Sequence, residues 1–193
     1  MAGNMLLTIG AIIIFGIFLC GANKLMIGNN QIAAQNEYYL TALSLAQSII
    51  DEAKDKAFDQ ATVGTAISTR APLAAPGLFG PDGASEAVPF PDTLCKSAPY
   101  SATNPGYWSA IRFNDVDDYQ GYYRLVNTPR AEGYKLRVSL TYVNETAPDV
   151  PTGTRQFTKK MTVSVTSPYF PKIADGAETT VPDTLKLSYV FSY

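Results

Sequence analysis

Residues 5–22, MLLTIGAIIIFGIFLCGA, hold no charged side chain, and the helical pattern that starts there runs on without proline to Phe58. At a rise of 1.5 Å per residue the uncharged stretch spans about 27 Å, close to the hydrocarbon thickness of a bilayer. The spacing predicts one long N-terminal helix over residues 4–58, roughly 80 Å from end to end. Its first third is apolar on every side and the remainder on one stripe. That pattern suits retention in a membrane followed by packing of the rod against other copies.

A removable secretory signal is the competing reading. The apolar run is longer than a usual signal core, no Lys or Arg precedes it, and the small residues after it reduce to Cys20-Gly21-Ala22. A lipoprotein signal fits poorly as well, because Leu19 stands where a small residue should precede the cysteine. A signal also has no physical need for the helical continuation from Asn23 to Phe58, so an anchor is expected.

Behind the apolar third, Ile32, Tyr39, Leu43, Ala46, Ile50, Ala53 and Ala57 recur at steps of three, four and seven, a seam that asks for a partner. Leu40, Leu45, Ile49 and Phe58 widen the stripe, as expected if one side packs on a sheet. The charges Asp51, Glu52, Lys54, Asp55 and Lys56 read as a solvated face, with Glu52 and Lys56 in the favourable i, i+4 order. Gly10, Gly16, Gly21 and Gly28 each cost the helix about 0.5–1 kcal/mol relative to alanine. They suit close helix-to-helix approach in lipid, or local melting of the helix when the chain leaves the bilayer.

Residues 61–106 change character. Seven of the thirteen prolines lie between Pro72 and Pro105, among glycines and small polar residues. This is a long connecting excursion, expected to be ordered by Leu73, Leu78, Phe79, Val88, Phe90 and Leu94 lying over a domain. From residue 107 the period drops to two. Tyr134, Leu136, Val138, Leu140 and Tyr142 alternate with polar residues, as do Met161, Val163 and Val165, and again Leu185, Leu187, Tyr189, Phe191 and Tyr193. Trp108–Phe113 and Tyr119–Val126 are shorter strand candidates. Four or five strands with one wet face imply an antiparallel sheet whose dry face is covered by the second half of the helix. The fold class is therefore α+β.

The 193 residues carry 15 basic and 17 acidic side chains, no concentrated basic field, and no histidine. Nucleic acid is not an expected partner. Without histidine the usual base of nucleophile triads and the commonest ligand for zinc or copper are missing, and no catalytic constellation or cofactor motif stands out. Cys20 reads as a small apolar member of its segment; Cys95 lies in the Pro-rich region, too distant in layout to pair with it. Asp115, Asp117 and Asp118 are a candidate carboxylate cluster for calcium, against a competing role in turn hydrogen bonds or in pairing of one of them with Arg112 or Arg124. Asn144-Glu145-Thr146 matches a glycosylation acceptor, a triplet that arises often by chance. Twelve tyrosines exceed what such a core needs, suiting either subunit contacts or an aromatic ladder.

This layout resembles the type IV pilin and pseudopilin family. Residues 42–59, ALSLAQSIIDEAKDKAFD, look like the helix segment of minor pilins and pseudopilins, and residues 113–119, FNDVDDY, are similar to a stretch in D-type minor pilins of mannose-sensitive haemagglutinin pili. The resemblance covers most of the chain in layout and about 25 residues in wording. It implies a pilin-like α+β fold divided into a short leader (1–3), an apolar transmembrane and filament-core helix (4–28), its amphipathic continuation (29–60), a loop region (61–106) and an antiparallel sheet head (107–193). It further implies a homo-oligomeric helical filament, or co-assembly with other pilins, held in the bacterial inner membrane before assembly and extracellular afterwards. Leu6, Leu7, Ile9, Ile12, Ile13, Ile14, Phe15, Ile17, Phe18, Leu19, Leu25, Met26, Ile27, Ile32 and Tyr39 would line the assembly interface. A leader cut after Gly3 would make Asn4 the first mature residue and place Thr8 fifth, where the family carries a glutamate. An anchored binding protein, or a pseudopilin that forms no long filaments, is the alternative.

Overall fold

A computed structural model describes residues 2–94, 106–175 and 179–193; Cys95 and the end of the Pro-rich region lie outside them. The N-terminal helix α1 spans Ala2–Lys54. Two units divide the chain, Met1–Tyr38 and Tyr39–Tyr193. The second holds the last turns of α1, a short helix α2 (Trp108–Arg112) and the strands.

α1 stops at Lys54, short of the expected Phe58, because the next residues are recruited elsewhere. The Ala57 N–H donates to the Asn114 carbonyl at 3.1 Å, and the Val116 N–H returns a bond to the Ala57 carbonyl at 2.9 Å. That parallel bridge between Ala57 and Asp115 cannot coexist with helical geometry. Asp59 then opens a 3₁₀ turn, Gln60–Thr62, its carboxylate accepting from the Ala61 N–H at 3.1 Å while the Thr62 hydroxyl oxygen accepts from the Asp59 N–H at 3.0 Å.

β1 (Tyr123–Val126), β2 (Tyr134–Asn144), β3 (Ala147–Pro151), β4 (Thr158–Thr166) and β7 (Thr184–Ser192) form a five-stranded sheet in the order β1-β2-β4-β7, with β3 paired to β2. All its pairings are antiparallel. β5 (Lys172–Asp175) and β6 (Thr179–Pro182) make a separate hairpin that the alternation does not announce. The period-two reading holds along β2 and β4, where every second side chain is buried. Register sets Leu136 opposite Val165, Val138 opposite Val163 and Leu140 opposite Met161. The helix contributes Ala42, Ala46, Ile49, Ile50 and Ala53, each at most 1 % exposed, to the core. Three of the five are alanines, so small side chains make up most of that buried stripe. Leu43, placed on the seam by spacing, faces solvent instead.

Two other readings are corrected. Trp108–Phe113 is not a strand: α2 takes its place, and the Asp92 carboxylate accepts from the Trp108 and Ser109 N–H groups at 3.4 and 3.2 Å. A carboxylate at the first turn meets orphan amide donors and makes so short a helix tenable. In the loop, Leu73 is buried and Phe79 packs on Tyr142 with ring centroids 5.0 Å apart, but Leu78 and Phe90 remain exposed. The β1–β2 turn needs Gly133, whose φ of 80° is left-handed.

Candidate functional site

Residues 2–38 are helical throughout and carry the largest run of exposed apolar side chains among the described residues. Ile9, Ile12, Ile13, Ile14, Phe15, Ile17, Phe18, Leu25, Met26, Ile27 and Ile32 are each more than half exposed, and Leu19 nearly so. Leu6 and Leu7 share the helical backbone. The helix is long and apolar enough to cross a membrane, and none of its most apolar window is buried by the chain. Isolated apolar side chains on a protein surface are ordinary, but a contiguous one of this extent marks a lipid or protein contact. The four glycines at 10, 16, 21 and 28 sit in regular helix, and a Cβ at any of them would meet open space. Cys20 is exposed and carries a free thiol.

Tyr39, assigned by the heptad spacing to the same interface, is committed to its own chain. Its hydroxyl donates to Asp183 Oδ2 at 2.6 Å and its ring stacks on Phe170 at 4.4 Å. Burial, reinforced by the Asp183 carboxylate, pushes the phenol up to about 12.

Two buried charge clusters lie among the described residues of the second unit; spacing placed Glu52 of the first on a solvated face and offered Asp117 of the second to calcium or to an arginine. The Glu52–Lys56 pair does not form. Glu52 instead faces inward, where Arg124 Nη2 lies 2.7 Å from its Oε2, and Ser109 Oγ and Tyr119 Oη donate to its Oε1 at 2.6 and 2.9 Å. Lys56 reaches the Ala110 carbonyl at 2.8 Å. Arg124 is 2 % exposed; it also donates to Tyr122 Oη and Ser109 Oγ, and its guanidinium lies 3.9 Å from the Tyr107 ring centre. Tyr122 in turn donates to Asp92 at 2.8 Å. One arginine therefore ties α1, α2, β1 and the Pro-rich segment together.

The second cluster centres on Lys159, the first inward side chain of β4 and 0 % exposed. Its ammonium donates to the Phe58 carbonyl at 2.9 Å, Asp59 Oδ2 at 2.7 Å and Asp117 Oδ1 at 2.5 Å. The rings of Phe58, Phe79 and Tyr142 enclose it, with centroids 4.4, 5.3 and 5.4 Å away. Parity along β4 was the available signal: Lys159 shares the inward phase of Met161, Val163 and Val165, while Lys160 takes the outward one.

Asp115, Asp117 and Asp118 do not converge as a calcium site would require. Asp115 Oδ1 accepts from the Asp117 and Asp118 N–H groups at 2.7 and 3.1 Å, Asp118 Oδ2 accepts from the Asn114 and Asp115 N–H groups at 2.9 and 3.3 Å, and Asp117 faces Lys159 rather than Arg112 or Arg124. Among the described residues no group of three or more acidic, Cys or His side chains is arranged to hold a metal. The carboxylates organise their own turn, and the geometry follows from competition by nearby amides. Arg112 instead lies over the Trp108 ring and donates to the Ala87 carbonyl. Asn144 Oδ1 accepts from the Thr146 N–H and hydroxyl at 3.0 and 2.9 Å, a local turn at the start of the β2–β3 hairpin.

Burial, with the Asp118 charge beside it, pushes the Asp115 carboxyl up to about 7. The folded state therefore binds a proton that the unfolded chain, with an ordinary carboxyl near 3.8, has released. This group's contribution is most favourable below pH 4 and falls as pH rises to about 7, by up to about 1.4 kcal/mol per pH unit. Asp115→Asn keeps an acceptor for the two N–H groups and removes the titration. Thermal unfolding followed between pH 4 and 8 should show a shallower decline for the variant, which should be the more stable protein at pH 8.

Several tyrosines supply the core: Tyr119, Tyr122, Tyr134 and Tyr142 are buried, whereas Tyr169, Tyr189 and Tyr193 remain well exposed. No protein-family model, curated protein or solved structure matches the chain.

Proposed function

We propose that this chain is a structural subunit of a type IV pilus-like filament, held in the bacterial inner membrane by α1 before assembly and displayed at the cell surface afterwards. The observation that carries this reading is the exposed apolar surface of residues 5–32, which lies on one helix whose only charged side chain in that span is Lys24. In lipid the surface is satisfied; among sister helices it gains close dispersion contacts, and the small residues at 10, 16, 21 and 28 permit backbones to approach. Assembly of this kind requires no chemistry and no cofactor, only exchange of one apolar environment for another.

Thr8 stands where pilins of this type carry a glutamate, and its hydroxyl donates to the Asn4 carbonyl at 2.8 Å. The N-terminal amine of an incoming subunit then lacks that carboxylate partner, which suits a subunit that starts or tips a filament, or one assembled beside other pilins. The test is negative-stain microscopy of surface-sheared material with antibody against this chain. Thin filaments decorated by the antibody support the reading. Retention of all the chain in the membrane fraction, with no filaments, favours an anchored binding protein. Mass spectrometry of the sheared material reads the N-terminus, where a start at Asn4 is the expected product of cleavage after Gly3.

A further inference from the structure

Lys159 stands between two carboxyl groups that are unlike. Asp59 is fully engaged: it accepts from the Ala61 N–H at 3.1 Å and from the Ala74 N–H at 3.0 Å, besides the lysine. Burial opposes its charge, but the Lys159 contact and these amides outweigh burial and hold it below the usual carboxylate range. Asp117 has the 2.5 Å lysine contact on Oδ1, while its Oδ2 is buried without a hydrogen-bond partner. Burial pushes this carboxyl up to about 8 despite the lysine, so it carries its proton at neutral pH. An amine, a protonated acid and an ionised base thus meet in a site walled by three aromatic rings. Such a site excludes water, the product of amide condensation and the reagent for its reversal.

We propose that Lys159 and Asp117 condense to an intramolecular amide cross-link, with Asp59 as the base. Asp59 takes a proton from the ammonium across the 2.7 Å contact. The freed nitrogen lone pair attacks the Asp117 carboxyl carbon, a C–N bond forms, and the tetrahedral centre collapses with cleavage of one C–O bond and departure of water. Of the four protons borne at the start by the ammonium and the acid, one stays on the amide nitrogen, two leave in the water, and one remains on Asp59. Nothing is oxidised or reduced. The condensation neutralises the buried ammonium and the Asp59 carboxylate together and removes one oxygen from Asp117, whose Oδ2, like one side-chain oxygen each of Asn114, Asp115 and Asp118, is buried without a partner. It joins β4 covalently to the 3₁₀ turn Asp117–Tyr119 that precedes β1. The inference stands apart from the filament reading, since it rests on the second unit alone.

Tryptic digestion of the full chain, purified in detergent, reads the bond directly. The expected product is residues 113–124 joined to residues 156–160, uncut after Lys159 and lighter than the two peptides together by one water. Asp117→Ala and Lys159→Ala should abolish the joined species. Asp117→Asn should restore the same joined peptide at an unchanged mass, because loss of ammonia yields an identical amide. Asp59→Asn should leave residues 113–124 as a free peptide in protein whose circular dichroism is that of the folded chain. Recovery of residues 113–124 and 156–159 from the wild-type chain as separate peptides at unmodified mass, with no joined product, overturns the proposal without reference to any variant.

Discussion

Ile13→Arg is expected to abolish incorporation of the chain into filaments while the sheet unit keeps its fold. Ile13 lies in the middle of the uncharged stretch, within the first unit, and is 57 % exposed. Arginine at the centre of a spanning helix costs about 2.5–3.5 kcal/mol in lipid. Among packed apolar helices, where the charge has no carboxylate to pair with and little room to reach water, the penalty repeats at every copy along the polymer. The measurement is the amount of chain in the sheared surface fraction, compared with Ile13→Leu, which keeps the surface apolar. Circular dichroism of the purified variant checks the fold. Wild-type levels of Ile13→Arg in filaments would mean that the apolar helix is not the assembly surface.

Arg124→Ala should cost far more stability than deletion of a surface charge such as Lys160, because Arg124 is only 2 % exposed and pairs with Glu52. Its removal leaves Glu52 partly buried opposite an empty space and withdraws donors from Tyr122 and Ser109. Deleting one partner of a buried ion pair costs about 3–5 kcal/mol, which in a domain of this size lowers Tm by roughly 10 °C or more. The companion experiment separates the pair's net worth from the cost of an orphaned charge. Glu52→Leu combined with Arg124→Met should cost much less than the two single changes summed, because the double variant buries no uncompensated charge. Thermal unfolding of the four proteins closes the cycle. Strict additivity would show that the two side chains act independently and that the arginine matters only for its packing over Tyr107.

Local pattern determined the large elements of this protein. Eighteen residues without charge can only be helix where the surroundings are apolar, since every backbone group must then be satisfied within the segment, and α1 runs through them. Alternation along Tyr134–Tyr142 and Met161–Val165 determined two central strands and their inward faces, because a pleated chain turns successive side chains to opposite sides. The α+β class follows from those two periodicities.

What the tertiary structure decided is which charges are solvated and which are not. Glu52 lies one residue from Asp51 on the same helix, yet Asp51 is exposed with Lys54 while Glu52 turns inward to a partner 72 positions away. Lys159 and Lys160 are neighbours, and one is sealed among aromatic rings while the other meets Asp149 at the surface. Helix α2 likewise exists because Asp92 arrives from a distant loop to accept from its first amides. The physical reason is common to all three: helix and strand periods are set by the backbone within a few residues, whereas the sign and burial of a partner depend on which remote segment the fold delivers, and a buried charge is tolerated only when that delivery is made.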